Sequence, residues 1–168
     1  MKHIRLPFVA AAVMLALPSA TAHAASLCDA GEATVFNCRA KGKTLSICAR
    51  HAASGALLYA QYRFGRGHPQ ISIPPRNPFD LTVFRGQTSV GTGASTTTLT
   101  VRNGDVVYEI DAVSNFRIAP GVSDESGISV TQDGRLLARF ACDRDGPTDG
   151  LHEFITRNRL EAPEDANR

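Results

Sequence analysis

The sequence predicts an all-β fold: an antiparallel β-sandwich or small barrel of eight or nine strands, stapled by disulfides and followed by a short C-terminal helix. Three observations carry that expectation. Between Ala33 and Cys142, apolar and polar residues alternate in short runs, the period-two pattern of half-buried strands. Gly, Pro, Asn and Asp interrupt those runs about every eight to twelve residues, the turn spacing of a sandwich or barrel. Four cysteines, Cys28, Cys38, Cys48 and Cys142, follow an N-terminus that reads as an export signal, where an even count favours two disulfides.

The first two strands, 33–39 and 43–49, meet at Lys41-Gly42. A two-residue turn there sets Cys38 opposite Leu45, Phe36 opposite Ile47 and Val35 opposite Cys48, and opposed residues share a face. In the run 56–64, Leu58, Ala60, Tyr62 and Phe64 share one face while Tyr59, Gln61 and Arg63 share the other. Strands at 69–73 and 79–85 follow. Strands 95–102 and 105–113 join at Asn103-Gly104, a type I′ signal that sets Val101 opposite Val106 and Leu99 opposite Tyr108. Strands 127–131 and 135–142 join through a three-residue loop, Gln132 to Gly134. That loop pairs Val130 with Leu136 and Ile128 with Ala138, and sends Leu136, Ala138, Phe140 and Cys142 inward. After a turn-rich connector, Leu151 to Leu160 reads as a short helix capped by Thr148 or Asp149, and the tail Glu161 to Arg168 as frayed.

Parity also selects a disulfide pairing. Cys38 faces the core and Cys48 faces away, and bridging needs Cβ atoms about 3.5 to 4.5 Å apart, so these two cannot bond. Inward Cys38 then pairs with inward Cys142, and outward Cys48 with Cys28; a register slip of one residue would reverse the choice. Two gaps of nine residues between the first three cysteines are unlike the short gaps of zinc knuckles, so no metal site is expected of them.

Lys2 and Arg5 precede the apolar run Leu6 to Leu17, and Ala22-His23-Ala24 reads as a cleavage site. Residues 1–24 are therefore expected to be a cleaved signal peptide, 25–147 the β domain and 148–168 the helix and tail. A run of twelve apolar residues falls short of the roughly 20 a membrane span needs, so the expected location is the periplasm or the medium.

Without Lys2 and Arg5 the eighteen basic residues fall to sixteen, equal to the sixteen acids. Neutrality speaks against nucleic acid as partner, which calls for a basic footprint. The charges are uneven, however. Residues 50–102 hold six Arg against Asp80 alone, and residues 103–168 hold thirteen acids against seven Arg. An Arg-rich surface built from Arg63, Arg66, His68 and Arg76 could hold an anionic ligand or an envelope protein, since guanidinium groups bind carboxylate and phosphate bidentately.

Catalytic constellations are sparse. The mature chain keeps His51, His68 and His152, has no Gly-x-Ser-x-Gly elbow, and leaves no cysteine unpaired once two bridges form. Glu109 and Asp111 share one strand face but lack the apolar surroundings that raise a general acid's pKa. Asp143-x-Asp145-Gly146 with Asp149 is a partial calcium-loop pattern without a closing Glu. No cofactor is expected, and the oligomeric state is not encoded in any pattern here.

Leu27-Cys28, Phe36-Asn37-Cys38, Lys43-Thr44-Leu45-Ser46-Ile47-Cys48, Tyr62-Arg63-Phe64-Gly65 and Ala141-Cys142 together resemble a group of small exported bacterial proteins of unknown function. The likeness covers most of the mature chain and implies no catalytic residues. A weaker resemblance is to periplasmic lysozyme inhibitors, disulfide-bearing β folds that block a hydrolase cleft with a Ser-Gly-x-Tyr loop. Here Ser54-Gly55 and Ser126-Gly127 lack the following Tyr. The expected function is a non-catalytic, secreted or periplasmic binding module. The alternatives are a small periplasmic hydrolase whose site has no recognised motif and an inhibitor of a cell-wall hydrolase.

Overall fold

A computed structural model of the chain describes residues 26–75, 79–115, 123–143 and 150–161. The leader, Arg76, Thr148, Asp149 and the tail beyond Glu161 lie outside the described residues. Nine strands precede one helix: β1 (Ala33–Ala40), β2 (Lys43–His51), β3 (Leu57–Gly65), β4 (Pro69–Ile73), β5 (Phe84–Val90), β6 (Ala94–Asn103), β7 (Val106–Asn115), β8 (Ser123–Gln132), β9 (Arg135–Ala141) and α1 (Leu151–Arg157).

Strands β1 to β4 form one antiparallel meander and β5 to β9 a second. The two sheets face each other without a ladder joining them, so the sandwich forms and the barrel does not. Pro74 and Pro75, just after β4, lack the N–H that a further ladder would need. The strand expected at 79–85 starts later than its alternation suggests. Asp80 accepts a hydrogen bond from the Thr82 backbone N–H at 3.0 Å and caps a 3-10 turn over Leu81–Val83, delaying entry into β5 until Phe84.

The core lies between the sheets. Phe36, Leu45, Ile47, Tyr62 and Ile73 from the first sheet meet Phe84, Leu99, Val101, Ile110 and Ile128 from the second, all nearly inaccessible to water. Burying one such side chain contributes about 1.5–3 kcal/mol. Tyr62 and Tyr108 lie across the interface with ring centroids 4.9 Å apart, and burial holds both phenols above their ordinary pKa. Helix α1 closes one side, inserting Leu151, Phe154 and Ile155; Phe154 meets Phe84 edge-on at 6.3 Å. Gly86 makes this approach possible, because a Cβ there would stand 2.4 Å from Ile155 carbons. The N-cap position of the helix is Gly150, with no side-chain cap hydrogen bond, and the expected caps Thr148 and Asp149 lie outside the described residues. A Cβ on Gly150 would meet the Val35 carbonyl oxygen at 2.7 Å, so close docking onto β1 takes precedence over capping.

The disulfides are Cys28–Cys48 and Cys38–Cys142, the pairs that strand parity selects. Cys38 stands opposite Leu45 and Phe36 opposite Ile47, while a bulge after Thr34 sets Thr34 rather than Val35 opposite Cys48. Two other hairpins differ in register. The turn after β6 is Gly104-Asp105, with Gly104 at φ 59°, so Val101 faces Tyr108 and Leu99 faces Ile110. One positive φ at the first turn residue suffices for a type II′ turn, and glycine supplies it without strain. The partners slide by two positions, which keeps every side chain on its expected face. The β8–β9 loop has two residues, Asp133 (φ 50°) and Gly134 (φ 74°), not three. The extra residue is taken up by a bulge at Leu137, so Ala138 faces Val130, Phe140 faces Ile128, and Leu136 is exposed rather than inward.

Candidate functional site

The alternation of β3 turns Arg63 away from the core, yet it is only 6% exposed. Residues 26–32, pinned by the Cys28–Cys48 bridge, cross the outer face of the first sheet and cover it. Leu27 N–H donates to Ser46 Oγ at 2.9 Å, and Ser46 Oγ donates to Asn37 Oδ1 at 2.8 Å. Arg63 Nη1 donates to the Leu27 carbonyl at 2.9 Å and to Glu32 Oε2 at 2.8 Å, Nη2 donates to Glu32 Oε1 at 2.8 Å, and Nε donates to Gln61 Oε1 at 2.8 Å. The Tyr59 hydroxyl donates to Glu32 Oε1 at 2.7 Å. Burial opposes ionisation of Glu32, but the Tyr59 hydroxyl, the Asp29 N–H and Arg63 together outweigh it and hold the carboxyl below its ordinary pKa. The hydrogen bond to Glu32, and burial after it, raise the pKa of Tyr59. Arg63 is thus an internal clasp, with four of its five N–H donors engaged and its side chain nearly screened from water.

Of the surface expected from Arg63, Arg66, His68 and Arg76, the described residues leave Arg66 and His68 exposed in the β3–β4 turn and withdraw Arg63 under the N-terminal segment; Arg76 lies outside them. That turn requires Gly65, since a Cβ there would stand 2.1 Å from the His68 carbonyl oxygen.

Another set of cations joins Arg66 and His68. Thr44 pairs with Gly65, so the β1–β2 and β3–β4 turns lie at the same end of the sandwich. An Arg66 Nη2 lies 3.7 Å from where a Gly42 Cβ would be. Lys41 Nζ sits 5.5 Å from the Phe140 ring centroid and Lys43 Nζ 5.2 Å from that of Phe64, contacts that position the ammonium groups without neutralising them. Lys41 and Arg66 are exposed and Lys43 half-buried. Among the described residues none of the three has an acidic partner, whereas Arg39, Arg63 and Arg157 are paired with Asp143, Glu32 and Glu153. Lys41-Gly42-Lys43 marks this end in the sequence, as cations on both sides of a tight turn; read only as a turn, it conceals them.

The other sequence candidates separate. Glu109 accepts from Ser129 Oγ at 3.3 Å and Asp111 from Thr98 Oγ1 at 2.8 Å, two independent pairs on an outward sheet face. Asp143 pairs with Arg39 at 3.2 Å, and residues 144–149 of the calcium-like run lie outside the described residues. Cys28, Cys48 and Glu32 bring potential metal ligands within 4.8 Å of one another. Both sulfurs are oxidised and Glu32 is held by Arg63 and Tyr59, so the bridged protein offers no thiolate there. Of the histidines, His68 is exposed, and His152 Nδ1 lies 3.1 Å from Thr88 Oγ1 on the surface. His51 lines a cleft of about 200 Å³ with Thr34, Val35, Phe154, Arg157 and Asn158. That volume is below the roughly 300–1,000 Å³ of small-molecule sites and suits a single side chain.

No helix among the described residues is long and apolar enough to cross a membrane. Comparison with protein-family models, with curated proteins and with solved structures finds no match to this chain.

Proposed function

We propose that this chain is a non-catalytic, secreted or periplasmic binding module that engages an anionic group on an envelope partner through Lys41, Lys43, Arg66 and His68. The observation that carries the reading is the meeting of two tight turns whose three formal cations lack acidic partners among the described residues. Backbone turns fixed by Gly42 and Gly65 hold these side chains without a ligand, so less ordering is needed on binding. Exposed charges of one sign also speed encounter with an oppositely charged surface. Two disulfides and the leader pattern support an oxidising compartment.

An inhibitor of a cell-wall hydrolase uses the same chemistry, because glycosidase clefts carry paired carboxylates. The test is titration of the mature protein with poly-L-glutamate at low salt, followed through amide NMR shifts. Shifts centred on residues 41–43 and 65–68, removed by Lys41→Glu/Lys43→Glu/Arg66→Glu, are the expected result. The Thr88–His152 contact favours a second reading, a small hydrolase with a hydroxyl nucleophile. Hydrolysis of p-nitrophenyl acetate that disappears in Thr88→Val would establish it over the binding module.

A further inference from the structure

An open sandwich has four sheet edges, and three of them here are covered or blunted. On β1, the Val35 carbonyl accepts from Gly150 N–H at 2.9 Å and the Arg39 carbonyl from Asp143 N–H at 2.6 Å. On β5, Gly86 N–H donates to the Leu160 carbonyl at 2.7 Å, and Glu161 bridges Gly86 in parallel. Strand β4 is five residues long, begins at Pro69 and is followed by Pro74 and Pro75, a protected edge.

Strand β9 is different. Its seven residues end the second sheet. Cys142 N–H donates to the Ser126 carbonyl at 2.9 Å, so the alternation of an antiparallel ladder turns the N–H and C=O of Arg139 and Ala141 away from β8. Among the described residues nothing bonds to them. Leu136 and Leu137 are 56% and 54% exposed, and Arg135 and Arg139 on either side are exposed without acidic partners among the described residues.

We propose that the β9 edge docks an extended acidic segment of a partner protein by strand addition. Free backbone groups supply the ladder, the two leucines an apolar contact, and Arg135 and Arg139 the charge selection. A second copy of this chain fits poorly: it would bring the exposed Arg135 and Arg139 of both edges into one seam, a concentration of like charge that an acidic strand instead neutralises. The Leu137 bulge sets Arg139, opposite Ser129, and Arg135, opposite Gln132, on different faces of the sheet, so an acidic strand with carboxylates on both faces meets both, and Lys41, over Phe140, extends the positive charge toward the strand's end. The surface meets the cationic turns at Lys41 and is otherwise distinct from them, so Arg66→Glu and Arg135→Glu/Arg139→Glu test the two apart.

The probe is a fluorescein-labelled, acetylated eight-residue Glu-Val peptide in which Glu-Glu and Val-Val alternate, so that both faces carry carboxylates, with the matching Lys-Val peptide as its counterpart. Saturable binding of the Glu-Val peptide is expected, with amide shifts concentrated in β9. Arg135→Glu/Arg139→Glu should weaken it tenfold or more without changing the far-UV circular dichroism. Arg139→Pro, which deletes an outward N–H, should weaken it similarly; should that variant misfold, the charge reversal decides alone. Arg66→Glu should leave the amide shifts in β9 in place. Equal binding of the Lys-Val peptide, undiminished binding by the charge-reversed variant, or loss of the β9 shifts in Arg66→Glu would each overturn the proposal. So would a concentration-dependent dimer that Leu136→Glu/Leu137→Glu abolishes, since a second copy would then occupy the edge.

Discussion

Arg63 and Glu32 form a bidentate pair with both N–O distances at 2.8 Å, across 31 residues of sequence, beneath a segment that a disulfide fastens to the sheet. The Glu32 side chain is fully screened from water and that of Arg63 nearly so. Arg63 therefore holds the N-terminal segment down from beneath it.

Glu32→Gln leaves the buried guanidinium with only the exposed Asp29 carboxylate, 3.2 Å from Nη1, and is expected to cost about 3 kcal/mol at neutral pH. Replacing both partners, Glu32→Gln/Arg63→Met, should cost less than that single change. Urea unfolding of the three proteins decides it.

The same pair predicts a pH signature. Glu32 titrates below its ordinary value in the fold, while the unfolded chain restores about 4.3. Its contribution is thus fully present above that pH and is lost as pH falls through the folded pKa. The stability gap between wild type and Glu32→Gln should narrow below about pH 4. A gap that stays constant down to pH 2.5 would contradict the ionised pair.

Cys38–Cys142 spans 104 residues and ties β1 to the end of β9. In the chain-entropy description its loss, as Cys38→Ser/Cys142→Ser, costs about 4.7 kcal/mol. Loss of Cys28–Cys48, with a separation of 20, costs about 3 kcal/mol and in addition should speed amide exchange at Leu27, whose N–H is tied to Ser46. Denaturant unfolding and hydrogen exchange measure the two effects separately.

Gly86→Ala should destabilise by about 1–3 kcal/mol, because the added methyl overlaps Ile155 and pushes α1 off β5. Gly104→Ala meets no atom within 4 Å, so its cost comes from the positive φ alone. Comparing their thermal midpoints, with near-UV circular dichroism reporting Phe84 and Phe154, separates packing from backbone strain.

Alternation made the sandwich legible. Two sliding registers, at Gly104-Asp105 and at the Leu137 bulge, left the inward set intact apart from Leu136, because parity survives a shift of two and a bulge absorbs a shift of one. The surface was less legible for a physical reason. Parity tells which way Arg63 points, but not that a third layer lies over that face: Ser26 to Glu32 carries no periodic signal, and the Glu32 partnership is made only in three dimensions. The cations of the proposed site sit in or beside turns, where Lys41 and Lys43 flank a glycine.

The most direct measurement is the amide shift map of the mature protein titrated with poly-L-glutamate, for wild type and Lys41→Glu/Lys43→Glu/Arg66→Glu. Shifts at residues 41–43 and 65–68, with affinity falling at least about tenfold in the variant, are the predicted result. Unchanged affinity in the variant, or shifts that avoid both turns, would contradict recognition through this end.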